Sequence, residues 1–538
     1  MDIKVILDEL AVLNVRLYAE DENIKLVGLR ENIKPETIAA IKENKGSLLS
    51  YLRSIESLPA AIRNIPCADH RESYPVSSVQ RRLWVLSRSE AGNTAYNVGR
   101  TFVFEGKMDR ELLERCFQEL IGRHEILRTV FREDNLGEVR QFVLDGKEVS
   151  FHVEYRDMRG GREEQVRARV QEELARPFDL SSGPLLRAVL LEVGDGKYVF
   201  TYVMHHIISD AWSTGILIRE LLSLYNGGVR GEAVLLAPLR VQYRDYASWQ
   251  QEQLGGTGFQ AAREYWLEQF SGEVPVLELL GDRVRPGVKT YRGGAIERRL
   301  GAGTGRGLRG LLQAERVTLF MGLLAAVNVL LYRYTGQEDI VVGSPIAGRE
   351  HPDLEGQLGC YLNTLALRCR LGGGESYREL LGRVREVTLG AYAHQSYPFD
   401  ELVDELRLRR DMSRNPLFDV LINVSPVGII GSTPEFGDIR VSEFVDRERE
   451  ISKFDLSFIF VELGEELRIG IEYNSDIYDR DTVERMGDHL TGLLGAIVEC
   501  PDKPIGQLEY LSAAERHQLL TTFNARYASN SGTGNLFG

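Results

Sequence analysis

Two adjacent histidines and an aspartate four residues further on are the side chains best placed to do chemistry here: His205-His206-Ile207-Ile208-Ser209-Asp210. A histidine of ordinary basicity exchanges its proton near neutral pH, so one facing a cavity suits proton transfer. An acid at this spacing can orient the turn around the histidines, most simply through an ion pair with an arginine elsewhere. The other reading is a pair of packed histidines beside a helix-capping aspartate, and six residues alone leave both open. Metal binding fits less well, because adjacent strand histidines diverge and lack the helical i, i+4 spacing that lets two rings share one ion.

The elements that must hold these residues are legible on either side. Lys197 to Val203 is β-branched and aromatic and reads as a strand. Ile216, Leu217, Leu221, Leu222 and Tyr225 recur at helical spacing, closed by Gly227-Gly228. The histidines therefore sit at a strand end and Asp210 in the turn that opens a helix. Neighbouring strand side chains point to opposite faces, so one histidine can look into a given cavity while the other packs or bonds locally.

The chain has 538 residues, enough for about two to four folding units. Its 43% hydrophobic and 27% charged residues are those of a globular protein, and a net charge of −14 disfavours nucleic acid or an anionic membrane as the main partner. The start, Met-Asp-Ile-Lys-Val, lacks signal-peptide character. Leu319 to Leu331 is apolar but shorter than the roughly 20 residues of a membrane span, and carries Asn328, so it reads as a buried core helix. Five scattered cysteines without a CxxC pair fit a reducing cytoplasm, with neither a disulfide frame nor a zinc site.

Residues 1–56 read as a small separate unit. Ile3 to Leu10 makes one helix face, Val15–Tyr18 and Ile24–Val27 flank a polar turn as a hairpin, and Pro35 opens a helix carrying Ile38, Ile41 and Leu48-Leu49. This order resembles the TubC-like N-terminal docking domain of multienzyme assembly lines. Its hairpin edge can accept a short peptide as an added strand, and the resemblance makes that peptide the C-terminal tail of an upstream subunit. The alternative is a structural cap. Residues 57–72, with Pro59 and Pro66, read as a linker.

From Tyr74 onward a series of motifs appears in order. They are Ser77–Trp84, Arg123–Phe131, Met204–Asp210, Tyr243–Trp249, Leu358–Thr364, His394–Asp400 and Arg410–Leu417. The set resembles the seven core motifs of nonribosomal peptide synthetase condensation domains, with His205 to Asp210 as the HHxxxD motif. The resemblance implies an α/β (α+β) fold, a V-shaped pseudo-dimer of two chloramphenicol acetyltransferase-like lobes at 73–240 and 241–520, followed by a linker or tail at 521–538. It also implies attack of an acceptor amine on a donor thioester, both carried on phosphopantetheine arms of carrier proteins. No cofactor or metal is bound by the chain itself. The implied partners are donor and acceptor carriers, the upstream docking peptide and a downstream adenylation domain. The chain then reads as a piece of a longer synthetase, with a cloning remnant at its extreme end.

By the same resemblance His206 faces the tunnel and either takes the amine proton or holds the amine and steadies the tetrahedral intermediate. His205 is structural although part of the catalytic motif, and Asp210 holds the corner through an arginine, for which Arg349 is the candidate. Arg123 and Trp266 are structural. Asn363, Gln395, Trp212 and Ser213 line the tunnel. Ala211 replaces the family's glycine. If that position needs a positive φ, alanine costs about 1 kcal/mol there. The alternatives are an epimerising or ester-forming relative, and a catalytically degenerate platform that recruits carriers or tailoring enzymes. Gly305 to Gly310 fits GxGxxG, but the elements around it do not make a dinucleotide-binding unit.

Overall fold

Buried strands with apolar residues on both faces need helices above and below them, and the chain supplies both. The structure is a computed structural model that describes residues 16–20, 23–27, 35–46, 48–49, 64–409, 411–425, 439–444 and 451–522. Two mixed sheets carry most of it. The first has five strands in the order Arg440–Glu443, Asn97–Glu105, Lys197–His205, Leu186–Gly194 and Val153–Asp157. Its central strand, Lys197–His205, is buried from Val199 to His205, which explains why the sequence runs apolar there without alternating. Asn97 pairs with His205 at the strand end.

The second sheet has six strands, ordered Gly293–Leu300, Glu466–Asn474, Leu456–Leu463, Val420–Ser425, Asp339–Ile346 and Asn363–Arg370. Val420–Ser425 pairs in parallel with both neighbours, and the other pairings are antiparallel. A division of the chain at residue 240 separates the two sheets with one exception. Arg440–Glu443 crosses back to pair antiparallel with Asn97–Glu105 at the edge of the first sheet. Nothing in its short, charged sequence announces the crossing.

The helix Leu319–Thr335 is buried from Met321 to Leu331, and Asn328 satisfies its amide nitrogen on the carbonyl of Leu324 at 2.8 Å. No single described helix is long and apolar enough to cross a membrane. Gly305 and Gly310 lie inside the helix Ala302–Ala314 rather than in a loop, so their amides are committed to the helix.

Near the N-terminus, Arg16–Glu20 and Asn23–Val27 form an antiparallel hairpin and Pro35–Glu43 a helix. Leu17, Ala40, Ile41, Leu48 and Leu49 are buried, whereas Ile38, expected on the same apolar face, is 38% exposed. The expected helix at Ile3–Leu10 lies outside the described residues. The end of the expected linker is packed: Ile65 is fully buried and its carbonyl accepts from Arg240 at 3.0 Å.

Candidate active site

The strand Lys197–His205 ends on the first histidine and His206 opens the turn that follows, so the two rings meet different neighbours. His205 is fully buried. Its Nδ1 accepts from the amide of Ile207 at 3.2 Å, and its Nε2 lies 3.3 Å from Ser87 Oγ. Both ring nitrogens are thus used locally, and burial with the neighbouring His206 pushes the imidazole down to about 3. His206 starts a short 3-10 turn, its amide bonded to the carbonyl of Tyr96 at 2.8 Å.

The helix Ser78–Leu86 clamps this corner from one side. Gln80, buried, donates to the carbonyl of Ile207 at 3.2 Å, and Ser87 at the helix end meets His205.

The His206 ring is half-buried, edge-on to Tyr96 at 6.2 Å between centroids. Burial first, then the Lys453 ammonium, push its imidazole down to about 3, so the ring is neutral at physiological pH. The carbonyls of His206 and Ser209 act the other way, favouring a ring proton. Cys360 Sγ lies 3.6 Å from Nδ1. Among the described residues no side chain hydrogen-bonds Nε2.

Asp210 does not touch the His206 ring nitrogens. It caps the helix Ala211–Arg230, with Oδ1 accepting from the amide of Ser213 at 2.7 Å. Arg349 donates to the same carboxylate at 3.1 and 3.3 Å, and both side chains are 2% exposed. Asp210 Oδ2 also accepts from the amide of Tyr361 at 3.1 Å. Ser213 completes the joint: its hydroxyl donates to the carbonyl of Gly359 at 2.8 Å and accepts from the amide of Gly359 at 3.0 Å. Gly348, with φ of 62°, lets the chain turn into Arg349; a β carbon there would collide with the carbonyl of Tyr361. The buried charges are therefore paired and multiply hydrogen-bonded, the condition for retaining them inside.

Arg123 and His124 hold the same helix from behind. Both meet Glu220, at 3.2 and 2.7 Å, and burial lowers His124, so it is a packed group. Trp266 is buried and donates its indole N–H to the carbonyl of His394 at 2.8 Å. Ala211 sits in the first turn of its helix and is not among the residues with positive φ, so the strain expected there is absent.

Of the four side chains expected along the tunnel, Asn363 and Gln395 border a small cavity of about 30 Å³ together with Tyr246, Trp249, Glu350 and Asp400. Asn363 also clasps the adjoining loop, donating to the carbonyls of Gln395 and Tyr397 and accepting from the amide of Phe399. The other two do not border that cavity. Ser213 is buried in the joint, and Trp212 is 44% exposed with its indole N–H on the carbonyl of Glu355 at 3.0 Å. Their positions in the first turn of the helix bring both into contact with the loop 355–359. Sequence reasoning missed Glu220 and the chemical position of Cys360. Leu358–Thr364 is visible as a motif, but nothing in it tells which side chain meets a histidine some 150 residues away. Among the described residues no cluster of histidine, cysteine, aspartate or glutamate could hold a metal ion.

The condensation-domain family model matches residues 70–520. The chain belongs to the condensation-domain family. Its relatives are components of nonribosomal peptide synthetases. It is 40% identical over 491 residues to a plipastatin synthase polypeptide of Bacillus subtilis (strain 168), covering 89% of this chain and 13% of that protein. It is also 41% identical over 455 residues to tyrocidine synthase 3 of Brevibacillus parabrevis, covering 84% of this chain and 7% of that protein. This condensation domain thus spans a small share of such relatives' length. Among solved structures it resembles the X-domain from teicoplanin biosynthesis, with a TM-score of 0.75 and 26% identity over 83% of this chain and 100% of that one.

Proposed function

We propose that this condensation domain forms an amide bond between a donor acyl or peptidyl thioester and the amine of an acceptor aminoacyl thioester. Both substrates ride on phosphopantetheine arms of carrier proteins, and the chain itself contributes no cofactor. Two chloramphenicol acetyltransferase-like lobes in a V would enclose the tunnel through which the arms meet. Residues 1–56 would receive the tail of an upstream subunit that delivers the donor, and an adenylation domain would follow.

A thioester is already activated, so the protein's task is to align two arms and manage one proton. The acceptor nitrogen attacks the thioester carbon and the carbonyl electron pair moves to oxygen. Collapse of the tetrahedral intermediate breaks the C–S bond, and the amine proton ends on the departing thiolate. The observation that carries this reading is the His206 ring, neutral and with Cys360 against Nδ1, which leaves Nε2 free of side-chain hydrogen bonds among the described residues. Nε2 accepts a hydrogen bond from the amine N–H and so aims the nitrogen lone pair at the carbonyl. A ring held at about 3 is too weak a base to store the proton at neutral pH, which favours this positioning role over general-base catalysis.

One observation favours a second reading. The X-domain that this chain resembles has been solved in complex with OxyB from the same biosynthesis, so a recruiting platform is the competing function. Intact-protein mass spectrometry of a donor-loaded and an acceptor-loaded carrier separates the two. We expect donor mass to move onto the acceptor carrier with the wild-type chain and only slowly with His206→Ala. Absence of transfer over a broad donor panel, with both carriers bound, would establish the platform instead.

A further inference from the structure

His206 needs a fixed ring angle if Nε2 is to aim an amine, yet Asp210, the motif's own acid, does not reach the ring. The structure places another group there. We propose that Cys360 is a positioning residue for His206: its sulfur rests against the Nδ1 edge and keeps Nε2 turned toward the amine. This inference rests on the reading of His206 given above.

Three observations support it. Cys360 is fully buried and its Sγ is 3.6 Å from Nδ1, within reach of a sulfur hydrogen bond. Burial drives the thiol well above its usual range, so it stays protonated and is no nucleophile of its own. The sulfur is also held from behind. The Cys360 carbonyl accepts from Tyr243 OH, whose ring packs at 4.9 Å from Tyr361, while the neighbouring amides of Gly359 and Tyr361 are bound to Ser213 and Asp210. The segment that carries the sulfur is therefore set by the Asp210–Arg349–Ser213 joint. Asp210 governs the histidine through this segment without bonding it.

The test is transfer rate at saturating carriers for wild type, Cys360→Ala and Cys360→Ser, each alone and combined with His206→Ala. The ¹⁵N imidazole signals of His206 are recorded in parallel. Removing the sulfur is expected to lower the maximal rate about tenfold without changing half-saturating carrier concentrations, and to shift the tautomer balance of the His206 ring. Serine, which keeps a polar acceptor of similar size, should recover most of the rate. In the His206→Ala background the cysteine change should have no further effect, because its only route is through the ring. Wild-type rate and an unchanged ring signature in Cys360→Ala would overturn the proposal, as would an equal loss with the histidine already gone. If His206→Ala itself transferred at the wild-type rate, the reading of His206 would fall. The imidazole spectrum alone would then decide whether the sulfur sets the tautomer.

Discussion

At position 211 the side chain departs from the family's glycine, and geometry decides what that means. Ala211 lies in an ordinary first helical turn with negative φ, so nothing there asks for glycine's freedom. Ala211→Gly should leave transfer unchanged and lower stability by about 0.5 kcal/mol through the flexibility it adds to the unfolded chain. Urea titration measures the second effect; a gain in stability would mean the helix start is strained after all. The same scale shows what a sequence can and cannot disclose about a site. His206 and Asp210 stand out by type and spacing, which leave two readings open, and Arg349 is reached only through the motif resemblance. Cys360 is not readable, since a cysteine's meaning depends on the neighbour that folding supplies. Trp212 and Ser213 point elsewhere than expected for a related reason: adjacency to a catalytic motif gives no direction, and the helix turns both toward the loop 355–359.

The element that gathers these residues is the helix Ala211–Arg230. It is capped by Asp210 at its start and held through Glu220 by Arg123 and His124 along its length. Its apolar periodicity makes it legible, but not its end: Gly227-Gly228, expected to close it, lie inside the helix, which stops at Gly231 with φ of 70°. The buried Glu220 facing a buried histidine is not legible, because a charged residue at a helix position is ordinarily solvated. Asp210→Asn keeps the cap acceptor but leaves Arg349 charged and unpaired in the interior. We expect a loss of about 3 kcal/mol of stability together with loss of transfer. Calorimetry on the variant checks this. An inactive protein with wild-type melting would instead assign Asp210 a direct part in the chemistry.

Across the molecule, buried neutral histidines make stability depend on acid. His205 and His206 are held at about 3 and His124 is also lowered, whereas an unfolded chain titrates them near the ordinary value of 6.5. Between these values the unfolded state binds more protons, so stability present above pH 6.5 is lost as pH falls toward 3. Glu350, raised to about 7 by burial, contributes in the opposite sense, losing stability as pH rises from its ordinary value of 4.5, and burial raises the Asp400 and Asp419 carboxyls in the same sense from their lower ordinary value of 3.8. Urea midpoints should therefore decline from about pH 7 to about pH 4.5, and His205→Gln should flatten that slope whatever it does to the absolute midpoint. An unaltered slope would show that His205 titrates alike in both states. The sheet class is legible at this scale from apolar runs and helix spacing, while strand order is not, since partners far apart in sequence leave no local mark.

The crossing strand Arg440–Glu443 also has a consequence for how the protein is made. Its partner, Asn97–Glu105, leaves the ribosome first and must wait while residues 106 to 439 are synthesised before that edge is covered. During that interval the nascent chain presents an open row of amides and carbonyls beside the strand that carries the histidines. The first sheet is therefore completed only once residue 443 has emerged, and a fragment released near residue 240 would expose the same edge to a neighbouring chain.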